Sequence, residues 1–269
     1  MSHTPRVSIV LPTYNGARFL AESIESCLAQ TLTDWELIIV DDASTDDTPH
    51  IVAEYAARDA RIRGIRHETN RKLPGALNTG YAAARGEFIT WTSDDNCYRP
   101  EALAALVTYL DAHPDVDAVY TDYSLVDEQG VVGELRRVQD PHALVFKQCV
   151  GPSFLHRKRL SDAVGPYADD LFLAEDYDFW LRASAAGTLR PLHQDLYLYR
   201  MHGATLTAGC RPQVMRAREQ ALLRNLPHLA WTTRADRAEA HLHLAELAGL
   251  RGSRRDTRRD RVQAFHHDP

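Results

Sequence analysis

The stretch WELIIVDDASTDDT, residues 35–48, decides how this chain is read. Trp35–Val40 is a short apolar run rich in β-branched residues, which reads as a strand. It empties into two adjacent carboxylates, Asp41 and Asp42. Ser44 with Asp47 three positions later has the form of a capping box, so a helix is expected to start there and run to about Asp59. The flanking sequence repeats the unit. Arg6–Pro12 reads as a buried strand, and Ala17–Gln30 as a helix with Phe19, Leu20, Ile24 and Leu28 at helical spacing. Ile62–Arg66 is a strand, Leu73–Ala84 a helix stopped by Gly86, and Phe88–Thr92 a strand. Pro100–His113 is a helix with proline in its first turn, and Ala118–Leu125 is a further strand. Asp127–Gly130 is a hairpin-type turn into Val131–Arg137.

Repeated β-α-β units imply an α/β fold with a mainly parallel sheet and helices on both faces. In such sheets ligands bind beyond the carboxyl ends of the strands. Three strands end in polar clusters: Thr13-Tyr14-Asn15, Asp41-Asp42 and Asp94-Asp95. All three belong on one edge. From about residue 138 the pattern is less regular. Ser153–His156 and Leu196–Met201 read as strands, Lys158–Val164 and Glu175–Ala186 as helices, and two or three helices follow from Gln213. The tail from Arg251 carries six arginines against three aspartates and reads as a solvated helix or frayed end, with contact to anionic lipid as the minority reading.

Bulk properties exclude several classes. The net charge of −6 gives no support to a nucleic-acid-binding surface. Cys27, Cys97, Cys149 and Cys210 form no C-x-x-C pair, so reduced thiols are expected rather than a zinc knuckle. Met1–Arg6 leads directly into a strand, no signal peptide is read, and no apolar run approaches the ~18–20 residues that span a bilayer. No G-x-G occurs, which removes the dinucleotide turn. Gly75 and Gly80 have P-loop spacing, but Tyr81-Ala82 stand where Lys-Ser/Thr is required.

What remains is an acid-rich edge without a glycine cradle. Carboxylates repel a nucleoside diphosphate unless a hard cation lies between them, and Mg²⁺ or Mn²⁺ takes oxygens from both. A strand-end pair such as Asp94-Asp95 can give one oxygen to a metal and another to a ribose hydroxyl or solvent. The plainer alternative is that the pair merely shapes a turn.

Several ordered motifs then match a family. VSIVLPTYNGARFLAESIESCLAQT, WELIIVDDASTDDT, NTGYAAARGEFITWTSDD, AEDYDFWLR and YRMHGATLT resemble the inverting family 2 glycosyltransferases over roughly residues 5–207. The resemblance implies a GT-A-type, Rossmann-like α/β/α sandwich with a C-terminal helical extension. Residues 1–125 would form the nucleotide-sugar-binding half, 126–209 the acceptor-binding and catalytic-base half, and 210–269 the extension. It also implies a metal-assisted enzyme that moves a sugar, from a UDP-sugar by expectation, to an acceptor hydroxyl with inversion.

Carried onto this chain, the resemblance implies that Pro12, Thr13, Tyr14 and Asn15 hold the nucleotide, with Tyr14 free to stack on the base. Asp42 would read the base edge, and Arg71 would pair with base or phosphates, with Lys72 its rival. The D-x-D-type metal motif maps to Ser93-Asp94-Asp95, with serine at the position of the usual first acid. Asp95 is then the metal ligand for Mn²⁺ or Mg²⁺, and Asp94 a ribose-side partner. Asp176 maps to the catalytic base and His202 to a metal or diphosphate contact. Glu175 and Trp180 would face the acceptor. Without the resemblance, Glu175, Asp176 and Asp178 would simply offset a helix dipole, and His202 would be a surface histidine.

The expected partners are a nucleotide-sugar donor and a glycan or lipid-linked acceptor, as in polysaccharide or glycoconjugate synthesis. A cytoplasmic location is expected. Peripheral contact with the inner membrane face and self-association through the C-terminal helices stay open. The rival classes are a non-catalytic nucleotide-sugar-binding protein, a nucleotidyltransferase, which lacks its glycine-rich basic loop here, and a receiver domain, which needs about half this length.

Overall fold

A computed structural model describes residues 4–203, 211–250 and 254–267. Cys210, the end of the YRMHGATLT motif and the expected boundary at 209/210 lie outside the described residues.

The strand β1 (Val7–Thr13) pairs in parallel with β2 (Trp35–Asp41), and β2 with β3 (Ile62–Arg66). On the other side of β1 lies β4 (Phe88–Trp91), also parallel. The two-residue β5 (Cys97–Tyr98) was not legible in the sequence; it pairs antiparallel with a late strand. β6 (Ala118–Val126) and β7 (Val132–Arg136) form the expected hairpin. β8 (Phe154–Arg157) lies antiparallel between β4 and β6, and β9 (Leu189–Arg200) runs parallel to β6. The sheet order is β3-β2-β1-β4-β8-β6-β9-β5, with β7 beside β6. Two antiparallel steps through β8 leave β6 and β9 running the same way as β1 to β4. The sheet is therefore mixed and mostly parallel, and its main strands discharge at one edge.

Each face of the sheet carries its own core. Ile9, Leu11, Leu37 and Ile39 pack with α1 (Leu20–Leu28), α2 (Thr48–Arg58) and a later helix, while the alternate residues Val10, Ile38 and Val40 pack with α3 (Lys72–Ala83) on the other face. Every residue of β1 and β2 is buried. That is the pattern of strands covered on both sides. The helix α4 (Ala102–Ala112) joins the first face. The second face continues through α6 (Glu175–Ala186), which follows the short α5 (Lys158–Val164) and packs on α7 (Arg211–Asn225). Then come α8 (Arg234–Leu250) and α9 (Arg254–His267), which pack on each other.

Local readings needed three corrections. The capping box at Ser44–Asp47 does not form: α2 starts at Thr48, and Asp46 accepts from the Thr48 N–H at 3.0 Å. Ser44 instead accepts from the Asn15 N–H, because the two strand-end loops pack together. Pro100 precedes α4 rather than entering it. β9 begins seven residues earlier than expected, since a polar start (Leu189–Asp195) hides a strand paired on β6.

His156 sits fully buried on β8 among Tyr81, Phe154, Phe179 and Trp180. Burial pushes its imidazole down to about 4, against the hydrogen bond with the Arg157 carbonyl. The folded protein therefore holds this ring neutral while the unfolded chain takes a proton below its ordinary pKa of 6.5. Stability must fall as pH drops from about 6.5 to about 4, by up to about 1.4 kcal/mol per pH unit from this group. Denaturant unfolding across that window should show a shallower acid slope for His156→Asn than for the unmodified chain; equal slopes would exclude the assignment.

Candidate active site

The carboxyl edge of the sheet opens into two adjoining cavities. The first has a volume of about 650 Å³ and is lined by Pro12, Thr13, Tyr14, Asn15 and Asp42. Asp94, Asp95 and His202 also line it, as do Arg18, Asn70 and Lys72. The second, of about 440 Å³, is lined by Glu175, Asp176 and Trp180 and by the segment from Lys147 to Pro152. Leu73, Ser93 and Asp95 line both.

The two acids after β4 are not equivalent. Asp94 turns toward the loop after β1, where its Oδ2 accepts from Thr13 Oγ1 at 2.6 Å. A Cβ on Gly16 would stand 2.0 Å from that same oxygen, so only glycine fits there. Burial pushes the Asp94 carboxyl up to about 6; the Thr13 bond opposes this and the adjacent Asp95 adds to it. Asp95 turns the other way. Its Oδ2 lies 2.9 Å from His202 Nε2, while Asp95 Oδ1 and His202 Nδ1 are buried without a partner. Arg200, also buried, donates to the Asp95 carbonyl at 3.0 Å and pairs with Glu22 at 2.6 Å. It locks this turn to β9 and α1.

Orphaned oxygen and nitrogen at that depth are what a hard divalent cation would satisfy. Asp95 and His202 fit such an ion, but they supply only part of a coordination shell. Among the described residues no group of three or more His, Cys, Asp or Glu side chains is gathered for a metal. The remaining ligands would have to come from a phosphate-bearing molecule and water.

Also lining the first cavity, Asp42 Oδ1 accepts from the Arg71 N–H at 2.8 Å and sits 2.6 Å from His67 Nδ1. His67 Nε2 meets Thr79 Oγ1 at 2.9 Å. Arg71 thus reaches the site through its backbone, and its side chain is not part of the wall. Lys72, the rival, is. Tyr14 is 52% exposed, so its ring is open to a planar ligand. Thr13 and Asn15 spend their side chains on the loops, Thr13 on Asp94 and Asn15 on the Thr45 N–H.

In the second cavity, Asp176 stands in the first turn of α6. Its Oδ2 accepts from Gln148 Nε2 at 3.0 Å and its Oδ1 from the Tyr177 N–H at 2.7 Å. Glu175 is buried with Oε2 unpartnered, and burial with the neighbouring Asp176 pushes its carboxyl up to about 7. Trp180 is 2% exposed and packs edge-on to Phe154, so it stiffens the wall rather than offering an open platform.

Backbone strain marks the same edge. The non-glycine residues with positive φ, among those described, are Asn15, Ala43, Lys72 and Leu173. Asn15, Lys72 and Leu173 line the cavities, and Ala43 follows Asp42. Each such residue costs about 1–3 kcal/mol, and such costs gather at functional sites. His67, Gln148 and Arg200 were missed in the sequence. None belongs to a local pattern, and each acts only through a neighbour brought in by the fold.

A GT-A nucleotide-sugar-transferase fold is the architecture that these features define. The family description Glycosyl transferase family 2 matches residues 8–156, more than half of the chain, and the chain belongs to that family. It is 32% identical over 245 residues to the uncharacterized protein y4gI of Sinorhizobium fredii, covering 87% of this chain. The chain spans only 26% of that relative's length. Among solved structures it resembles S. aureus TarS 1–349 in complex with UDP-GlcNAc, with a TM-score of 0.69 at 18% identity, over 97% of this chain and 90% of that one. It also resembles the mannosyltransferase PcManGT from Pyrobaculum calidifontis in complex with GDP-Man and Mn²⁺, with a TM-score of 0.66 at 18% identity, over 99% and 86%. Among the described residues no helix is long and apolar enough to cross a membrane.

His67 touches no open part of the cavity but fixes Asp42. His67→Ala should weaken nucleotide binding roughly 5- to 30-fold, the worth of about 1–2 kcal/mol for losing a charge-assisted hydrogen bond. Calorimetric titration with UDP checks it; unchanged affinity would remove His67 from the site.

Proposed function

We propose that the first cavity binds a nucleoside diphosphate sugar, that the second binds the acceptor, and that the chain transfers the sugar to an acceptor hydroxyl with inversion. The observation that carries this reading is the shared wall of Leu73, Ser93 and Asp95, with Asp94 lining only the first cavity and Asp176 only the second. The complexes of TarS with UDP-GlcNAc and of PcManGT with GDP-Man support a donor of this class.

Each residue then has a task that its surroundings allow. Tyr14 stacks on the base, and Asp42 accepts from a base N–H. A carboxylate at the base edge favours uracil, whose N3 carries hydrogen, over cytosine, whose N3 does not; a UDP-sugar is therefore the proposed donor. Asp94 lies on the ribose side. Asp95 and His202 would hold Mn²⁺ or Mg²⁺, which when bound supplies positive charge against the leaving diphosphate. Lys72 adds a cation from the opposite wall.

Asp176 takes the proton of the acceptor hydroxyl as the new C–O bond forms. Gln148 and the Tyr177 N–H orient its carboxylate, and the shape of the cavity holds the hydroxyl for in-line attack. Burial and the adjacent Asp176 push the Glu175 carboxyl up to about 7, so below that pH it is mostly protonated and adds little negative charge beside Asp176. An α-linked donor would give a β-linked product. In this proposal residues 1–125 supply most of the donor side, joined by Phe172 and His202, while the acceptor side combines residues of 126–203 with Leu73, Trp91, Ser93 and Asp95 and with Arg218. The acceptor is a glycan or a lipid-linked glycan, as in polysaccharide or glycoconjugate synthesis.

Asp176→Asn should lower kcat by about 10²- to 10⁴-fold, the usual worth of a general base, while donor affinity stays within about twofold. Glu175→Gln should keep most of the turnover. If instead Glu175→Gln were inactive and Asp176→Asn active, the two assignments would exchange. Asp95→Ala should abolish the gain in UDP affinity on adding Mn²⁺, read by thermal shift, since a ligand that binds only the folded state raises its stability. A metal response equal to that of the unmodified chain would exclude Asp95 as a ligand.

A further inference from the structure

We propose that the acceptor is anionic, carrying a phosphate or carboxylate group near the accepting hydroxyl, and that Arg137, Lys147 and Arg218 bind that group. The proposal rests on the reading of the second cavity as the acceptor site.

The three cations converge from separate segments. Arg137 directly follows β7, Lys147 follows the 3-10 turn at Pro141–Val145, and Arg218 stands on α7. All three line the second cavity, and none lines the first. All are exposed. No side chain of the three makes a hydrogen bond or ion pair with another described residue. Many cations elsewhere in this chain of net charge −6 are held by carboxylates. Arg6, Arg61, Arg85, Arg99, Arg182 and Arg224 each lie 2.5 to 2.8 Å from a carboxylate.

Like charges lining one cavity favour an anion as its occupant, although solvent screens them where they are exposed. The carboxylates of the same cavity do not serve as that anion. Asp176 is held by Gln148, Asp95 by His202, and Glu175 is buried. The lining of the cavity therefore combines acids that are held or buried with three cations that carry no ion pair. A bound molecule with a hydroxyl and an anionic group would be aligned by them, hydroxyl toward Asp176. Arginine's planar fork suits either a phosphate or a carboxylate. Arg218 comes from α7, so the C-terminal helices would complete the acceptor site.

The diphosphate of the donor is the rival occupant of these cations. Lys72 already stands in the donor cavity, and the walls shared by the two cavities are Leu73, Ser93 and Asp95, none of them basic.

The test reads binding without donor, on the full chain, by saturation-transfer NMR. The probes are methyl β-glucuronide, glucose 6-phosphate and the neutral methyl β-glucoside. At least one anionic probe should bind roughly tenfold tighter than the neutral one, as a charge-assisted contact is worth. The preference should vanish in the triple variant Arg137→Gln/Lys147→Gln/Arg218→Gln and shrink in about 1 M salt, where screening is short-ranged. Arg218→Lys should retain it. Preference for the glucuronide alone assigns a carboxylate, and for the sugar phosphate alone a phosphate. Equal binding of charged and neutral probes, or an intact preference in the triple variant, overturns the proposal. So does a fall in UDP affinity in that variant as large as the fall for the anionic probe, because the cations would then serve the donor. Release of UDP from a donor sugar is assayed separately, so a failure of the transferase reading is told apart from a failure of this one.

Discussion

The 2.9 Å contact between Asp95 Oδ2 and His202 Nε2 joins residues 107 apart in sequence. It exists because β4 and β9 run the same way and empty at the same edge. Arg200, the last residue of β9, makes the junction rigid. Its guanidinium reaches the Asp95 carbonyl, the Asp127 and Glu128 carbonyls of the hairpin turn, and the Glu22 carboxylate. Its backbone N–H donates to Asn96. One buried arginine thereby fixes the acid turn, the hairpin and α1 relative to one another. Both cavities share the wall that results, so their relation to one another is set by this junction.

Such an edge is expensive. It gathers carboxylates in a partly dry cleft and forces Asn15, Ala43, Lys72 and Leu173 into left-handed backbone. Two apolar layers behind it carry the cost. The alternate residues of β1 and β2 fill one core each, so a one-residue slip of either strand would push each set into a core packed for the other. Helix packing tightens the register further. Gly80 of α3 lies so close to β1 that a Cβ there would stand 2.2 Å from Val10 Cγ1. The loops can be strained because the strands that launch them cannot move.

Much of this was readable in the chain. The strands β1, β2, β4 and β6 announce themselves by β-branched and aromatic residues and β3 by two isoleucines between charged ones, and α5 and α6 have the expected bounds. The strand-end clusters gave the edge, and the edge gave most of the first cavity. The failures have physical causes. Ser44 and Asp47 have capping-box spacing, but Ser44 finds a better partner in the Asn15 N–H, which arrives from another strand. Arg71 looks like a phosphate ligand by charge, yet its contribution to Asp42 is a backbone N–H, available from any residue but proline. His67 and Gln148 carry no motif because their work is to orient an acid that is distant in sequence. Local patterns report strands and helices; they do not report which side chains the topology brings together.

Three adjacent acid pairs meet at this edge, and in each the two members diverge. Asp41 is buried and accepts from the Ser44 N–H, while Asp42 lines the first cavity. Asp94 is tied to Thr13, while Asp95 faces both cavities. Glu175 is buried and pushed up to about 7, while Asp176 is held by Gln148. The divergence has a common origin. Neighbouring residues leaving a strand, or entering a helix, send their side chains in different directions. Two carboxylates so close in a low-dielectric cleft also cannot both stay charged and unpartnered, so one must take a hydrogen bond, a proton or a cation. A doubled acid at such a position is therefore a division of labour: one member braces the loop or is buried, and the other lines a cavity while held by a partner from elsewhere in the chain.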